Sequence, residues 1–327
     1  MFRAGLLLLT AVSVGGMAVG CSETTSAGTA STARPGPRTG ADDADLWNLI
    51  PVDADAIADV DLGALRASPW SQTMMTGGFA GDREDRLARF GYDVFADADR
   101  MVVVGGESVG ATRTLTLARG RFDPERIGGA FAGVTRGAWR DSPLWQAGPR
   151  AVALVTPRTV AQGGPDDVRA AVDAGWGIVP DARGGALGEL RRQLQADRRG
   201  PAVFIAAAIT DAVRARANGI IELPPGLERG AARLDLGEDL DAEAVVLMAD
   251  AHSAEQTAAL WTSLVSAYAR ERMVAILGLS PVLKGTQIAA EGKRIHARLH
   301  IPAERRAELA EKLLALLQML AAARPAQ

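Results

Sequence analysis

Gly106-Glu107-Ser108-Val109-Gly110 has the G-x-S-x-G spacing that can present a serine as a nucleophile. That chemistry needs a strand entering the serine, a helix leaving it, and a histidine to take the hydroxyl proton. Residues 101–104 (MVVV) read as the entering strand. Residues 112–121 (TRTLTLARGR) alternate with period two, so a second strand leaves. Strand, glycine-flanked loop, strand is a hairpin, and Ser108 is then a turn residue. The chain holds three histidines, His252, His296 and His300, none in the loop context of a catalytic base. His296 and His300 fall on one strand face with Arg298, while Ile295, Ala297, Leu299 and Ile301 take the other. Four residues of strand span about 13 Å, too far for two ligands of one zinc ion without help from other chains. These histidines are expected to be solvated.

The acidic residues follow similar logic. Asp42, Asp43, Asp45, Asp53, Asp55, Asp59 and Asp61 crowd the start of the folded body. A calcium loop needs oxygens at alternating positions around a turn glycine and a closing bidentate acid. Here Asp53, Asp55, Asp59 and Asp61 interleave with Ile57 and Val60 of a strand, so turn and solvent-face roles are expected. Asp93, Asp97 and Asp99 read as loop and strand-start residues. Gly184-Gly185-Ala186-Leu187-Gly188 lacks the lysine of a phosphate loop and leads into a helix through Leu190 and Leu194. No catalytic residue, metal ligand or cofactor is implied.

The elements that position these residues repeat in order. Strand 55–62 and helix 63–75 are followed by strands 99–104 and 112–121 and a helix that Asp123-Pro124-Glu125 opens, Asp as N-cap and Pro at N1. A hairpin 151–156/159–162 turns at Pro157-Arg158, and Pro165-Asp166-Asp167 opens the next helix. The second half starts with strand 201–209 and a helix capped by Thr210-Asp211. Strands 231–236 and 242–249 come next. Ser253-Ala254-Glu255-Gln256 reads as a capping box for a helix to about Met273. A hairpin 285–290/294–301 turns at Glu291-Gly292-Lys293, and Pro302-Ala303-Glu304 opens the last helix. Each half reads βα-ββα-ββα. The expected fold is α+β, with two tandem similar halves, 45–197 and 198–327, and mainly antiparallel sheet with helices on one face. Local likenesses support duplication: 58–67 with 206–215, 114–125 with 244–255, and 159–173 with 296–310. Asp123 would then correspond to Ser253, and Pro165 to Pro302.

Ahead of the body lies an apolar leader: Arg3, then Leu6-Leu7-Leu8-Leu9, then small residues up to Ala18-Val19-Gly20-Cys21. It is too short to span a bilayer and has the build of a secretory signal, residues 1–20. It resembles a bacterial lipoprotein signal peptide, with Ala18 where the lipobox usually has leucine. The resemblance implies cleavage before Cys21, a diacylglyceryl thioether on its sulfur and an acyl chain on the new amino terminus. Two or more chains anchor a protein stably. Residues 22–42 contain no large apolar side chain and cannot bury a core, so 21–44 reads as a lipidated cysteine and a disordered tether. A coil of this length reaches on the order of 25 Å.

Cys21 is the only cysteine, so the mature chain can form no internal disulfide. The 48% hydrophobic content supports a true core, and the formal charge of −3 offers no basic excess for nucleic acid. Ile50-Pro51-Val52-Asp53-Ala54-Asp55 and Leu65-Arg66-Ala67-Ser68-Pro69-Trp70 resemble segments of uncharacterised exported lipoproteins of high-GC bacteria. That resemblance carries no activity. The leading expectation is a non-enzymatic, membrane-anchored envelope lipoprotein whose ligand is unspecified. Its body would stand in the periplasm or at the cell surface, with the outer membrane placed ahead of the inner. Its expected partners are the membrane, through the anchor, and an envelope protein or apolar ligand. The alternatives are a carrier of a lipid or other apolar ligand, and a serine hydrolase using Ser108.

Overall fold

The computed structural model describes residues 45–74, 87, 91–108, 111–130, 135–195, 202–217, 223–276, 278–309 and 311–312. Cys21, the leader and the tether lie outside them.

Asp45 opens a 3-10 turn over Leu46–Leu49 by accepting from the Trp47 N–H. Strand β1 (Ala56–Asp61) follows, and its last residue caps helix α1 (Leu62–Ala67), the Asp61 carboxylate accepting from the Ala64 N–H at 2.7 Å. The helix expected over 63–75 is divided. Ser68 turns extended before Pro69, which restricts the residue ahead of it, and α2 (Pro69–Met74) starts afresh. Asp93 caps the short α3 (Val94–Asp97), which runs into β2 (Ala98–Ser108) and its antiparallel partner β3 (Ala111–Gly120). Leu115 and Leu117 are buried and Thr114 is exposed, as the alternation requires.

Asp123 caps α4 (Pro124–Ala130) through the Glu125 N–H at 2.9 Å. An unanticipated hairpin comes next, β4 (Thr135–Trp139) and β5 (Ser142–Ala147), turning on Arg140 and Asp141 at φ 50° and 64°. Then come β6 (Arg150–Thr156), β7 (Thr159–Gly163) and α5 (Pro165–Gly175), which buries Val168, Ala171, Val172 and Ala174. Helix α6 spans Ala186–Gln195.

Strand β8 (Val203–Ala208) and α7 (Asp211–Ala217) precede a long pair, β9 (Leu227–Leu236) and β10 (Leu240–Met248). Helix α8 (Ala251–Tyr268) starts two residues before the expected Ser253. Its cap is Asp250, whose carboxylate accepts from the Ser253 N–H at 2.8 Å. Short helices α9 (Arg272–Ile276) and α10 (Ser280–Lys284) lead to the hairpin β11 (Gln287–Glu291) and β12 (Arg294–Ile301). After Pro302 the chain makes a 3-10 turn at Ala303–Arg305 before its final helical residues.

The described residues fall into two compact units, one within Val12–Val60 and Asp82–Glu189, the other within Asp61–Gly81 and Leu190–Gln327. Residues 61–74 therefore group with the C-terminal unit and not with the stretch 45–197 that contains them. In the N-terminal unit the strand order is β1-β2-β3-β7-β6-β5-β4. From β2 to β4 along that order the pairs are antiparallel, and the core gathers Leu46, Trp47, Ile50, Ile57, Leu117, Val152 and Val172. In the C-terminal unit the order is β11-β12-β10-β9-β8, again antiparallel. One face of this second sheet packs Met248, Ile295, Ala254 and Ala258 together under α8. Beside them Trp70, Val282, Ile301 and Leu309 form a second cluster. The architecture is α+β with antiparallel sheet, as expected.

Candidate functional site

The face of the C-terminal sheet opposite α8 carries charge in rows. Register sets Arg233 beside Glu243, Glu243 beside Arg298 and Arg298 beside Gln287, across β9, β10, β12 and β11. Two residues along, Asp235 pairs with Asp241 and Asp241 with His300. Period-two alternation makes these rows: every polar residue named here occupies the phase that α8 does not cover.

Arg233 is the fixed point. Its side chain is 2% exposed. One terminal nitrogen donates to the Leu194 carbonyl at 2.6 Å, where α6 ends, and the other to Asp235 at 2.6 Å. Its Nε faces Glu243 at 3.7 Å, an ion-pair distance too long for a hydrogen bond. Glu243 instead takes Arg298 through Nε and a terminal nitrogen, both at 2.9 Å. A buried guanidinium needs such partners because its charge cannot be shed.

His300 Nδ1 lies 2.9 Å from Asp241 Oδ1. The hydrogen bond to Asp241 raises the imidazole above its ordinary value of 6.5, with Asp239 and Glu304 adding to the effect. The pair therefore stabilises the fold fully below the ordinary value, and that contribution is lost as pH rises through the shifted one. In an NMR titration His300 should lose its proton at higher pH than a free imidazole, and Asp241→Asn should bring it back down. A His300 titration that ignores the Asn substitution would show the pair to be unformed. The sequence places His300 on the correct, solvent-facing side; its partner, 59 residues away, is visible only once β10 and β12 are in register.

Arg233, Asp241, Glu243, Arg298 and His300 line a cleft of about 190 Å³ together with Gly285 and Gln287. It has room for several water molecules. The N-terminal unit has a much smaller apolar recess, about 20 Å³, between Pro51, Val104 and Leu115.

The other sequence candidates take structural roles. Ser108 ends β2 and pairs with Ala111 of β3, so a strand and not a helix leaves the serine. Val109 and Gly110 lie outside the described residues. Asp59 departs from the solvent-face role expected of it. It does not face solvent but is 2% exposed, accepting from Trp47 Nε1 at 2.8 Å and from Arg100 through Nε at 2.7 Å and a terminal nitrogen at 2.6 Å. Asp61 is a helix cap. Asp93 caps α3, and its own N–H donates to Asp97, which also pairs with Arg126. Among the described residues no group of three or more His, Cys, Asp or Glu side chains is placed to hold a metal ion.

No protein-family model and no curated protein matches the chain. Solved structures do. Crystal form III of TP0453 aligns with a TM-score of 0.51 at 10% identity, over 83% of this chain and 98% of that one. Crystal form IV aligns at 0.50 and 10% identity, over 83% and 96%. At that identity the likeness is one of fold.

Proposed function

We propose that this protein is a lipid-anchored lipoprotein of the bacterial envelope whose body is a binding module and not an enzyme. The observation that carries the reading is Cys21, the only cysteine, directly after Ala18-Val19-Gly20 at the end of an apolar leader. A membrane attachment through acyl chains needs no spanning helix, and among the described residues no helix is long and apolar enough to be one. The outer membrane is the proposed site, with the body held off the bilayer by residues 22–42. Against a hydrolase stands the hairpin at Ser108, which lacks the helix that a nucleophile elbow requires. Against an apolar carrier stands the character of the larger cleft, lined by Arg233, Glu243, Arg298 and His300. The polar cleft is the ligand surface in this reading.

Cys21→Ser should move the protein from the membrane fraction to the soluble fraction. If the variant stays with membranes through a carbonate wash, Cys21 is not the anchor.

A further inference from the structure

We infer that the cleft on the β9–β10–β12 face is a binding site for a small oxyanion, a carboxylate or phosphate group. The inference deepens the binding-module reading by giving its ligand a chemical class. It rests on an account of donors and acceptors.

Each carboxylate in and beside the cleft already has a cationic partner on one of its oxygens. Glu243 Oε1 receives two nitrogens of Arg298, Asp241 Oδ1 receives His300, and Asp235 receives Arg233. The donors are in surplus. Arg298 has five N–H groups, of which the contacts to Glu243 use two, and its side chain is 67% exposed. Gln287 adds an amide. Protonated His300 keeps a second ring N–H beyond the one given to Asp241. Arg233 Nε is buried with no hydrogen-bond partner, Glu243 standing off at 3.7 Å, in a side chain that is 2% exposed. A buried donor without an acceptor is costly, and a ligand oxygen relieves that cost.

An acceptor-only ligand answers this lining. Carboxylate and phosphate oxygens accept from guanidinium in a planar, two-pronged geometry, and the edge of Arg298 not spent on Glu243 retains the N–H groups for it. The charges around the site are Arg233, Arg298 and His300 against Asp235, Asp241 and Glu243, so recognition is local and short-range. The site should discriminate by hydrogen-bond geometry and not by net attraction.

The test is an NMR titration of the full chain in detergent, with inorganic phosphate in one arm and acetate in the other. Saturable shifts at the Arg298 and His300 side chains are expected in at least one arm, and the arm that responds names the oxyanion. Arg298→Gln should weaken that binding about tenfold, since hydrogen bonds to charged groups are among the stronger ones. Gln287→Leu, at an exposed position that leaves the ion pairs intact, should weaken it less. Cys21→Ser should leave it unchanged, which keeps this result separate from the anchoring one. No saturable shift in either arm, or equal affinity in Arg298→Gln, would overturn the inference.

Discussion

Replacing Asp59 by alanine is expected to lower the unfolding free energy by about 3 kcal/mol, at the lower end of what losing one partner of a buried ion pair costs. Arg100 keeps 21% of its side chain exposed, so water recovers part of the loss on that side. The Trp47 side is closed to water. Trp47 is 0% exposed, and its indole N–H donates to Asp59 at 2.8 Å. Alanine would remove the carboxylate from a buried indole N–H and a half-buried guanidinium at once and leave a small void between them. Asp59→Asn keeps the shape and should fall between wild type and alanine. Urea denaturation followed by far-UV circular dichroism measures all three proteins. A loss within about 0.5 kcal/mol, the range of ordinary surface substitutions, would mean that the Trp47–Asp59–Arg100 contacts hold nothing together.

Gly91→Ala should cost about as much for a different reason. Gly91 sits at φ 72°, and a Cβ there would stand 2.5 Å from Ile127 Cα and 2.6 Å from the Arg126 carbonyl oxygen. These obstacles are backbone atoms of α4, which no side-chain rotation moves. The left-handed conformation costs roughly 1 kcal/mol for a non-glycine residue, and overpacking adds about 1–3 kcal/mol. Gly148 provides the control. It sits at φ 55° with nothing within 4 Å of its virtual Cβ, so Gly148→Ala should lose only the conformational part. Equal losses at the two positions would show that the approach of α4 to Gly91 does not constrain the fold.

The readable parts of the fold were those where a local signal agreed with the long-range outcome. Asp123-Pro124-Glu125 carries its cap and its N1 proline in three residues, and α4 starts there. The alternation in residues 112–121 is enough to give β3, and with it the reason to doubt Ser108 as a nucleophile. The β4–β5 hairpin escaped because its turn uses Arg140 and Asp141 at positive φ, where Asn-Gly or Asp-Gly would have announced it. At α8 two polar residues three positions apart compete for one role, and Asp250 takes the cap from Ser253. Asp59 misled for a simpler reason. Its place in the strand alternation is open to either side, and what decides it is Arg100, 41 residues later on β2. The cleft was invisible for the same cause. Arg233, Glu243 and Arg298 meet only through the registers of three strands, and no spacing in the sequence encodes those registers.

The strand order of the C-terminal unit also sets a sequence of events in time. Strands β8, β9 and β10 can zip as they emerge, each beside its predecessor. β10 must then wait for β12, which arrives only after α8, α9, α10 and β11. Until it does, one side of β10 is a bare edge of Leu240–Met248, with Ala242, Ala244, Val245, Val246 and Leu247 among its residues. A chain threaded through a membrane from its amino end would expose that edge for the whole interval. The charged residues of this strand, Asp241 and Glu243, then act first as repellents between nascent chains, before Arg298 and His300 reach them.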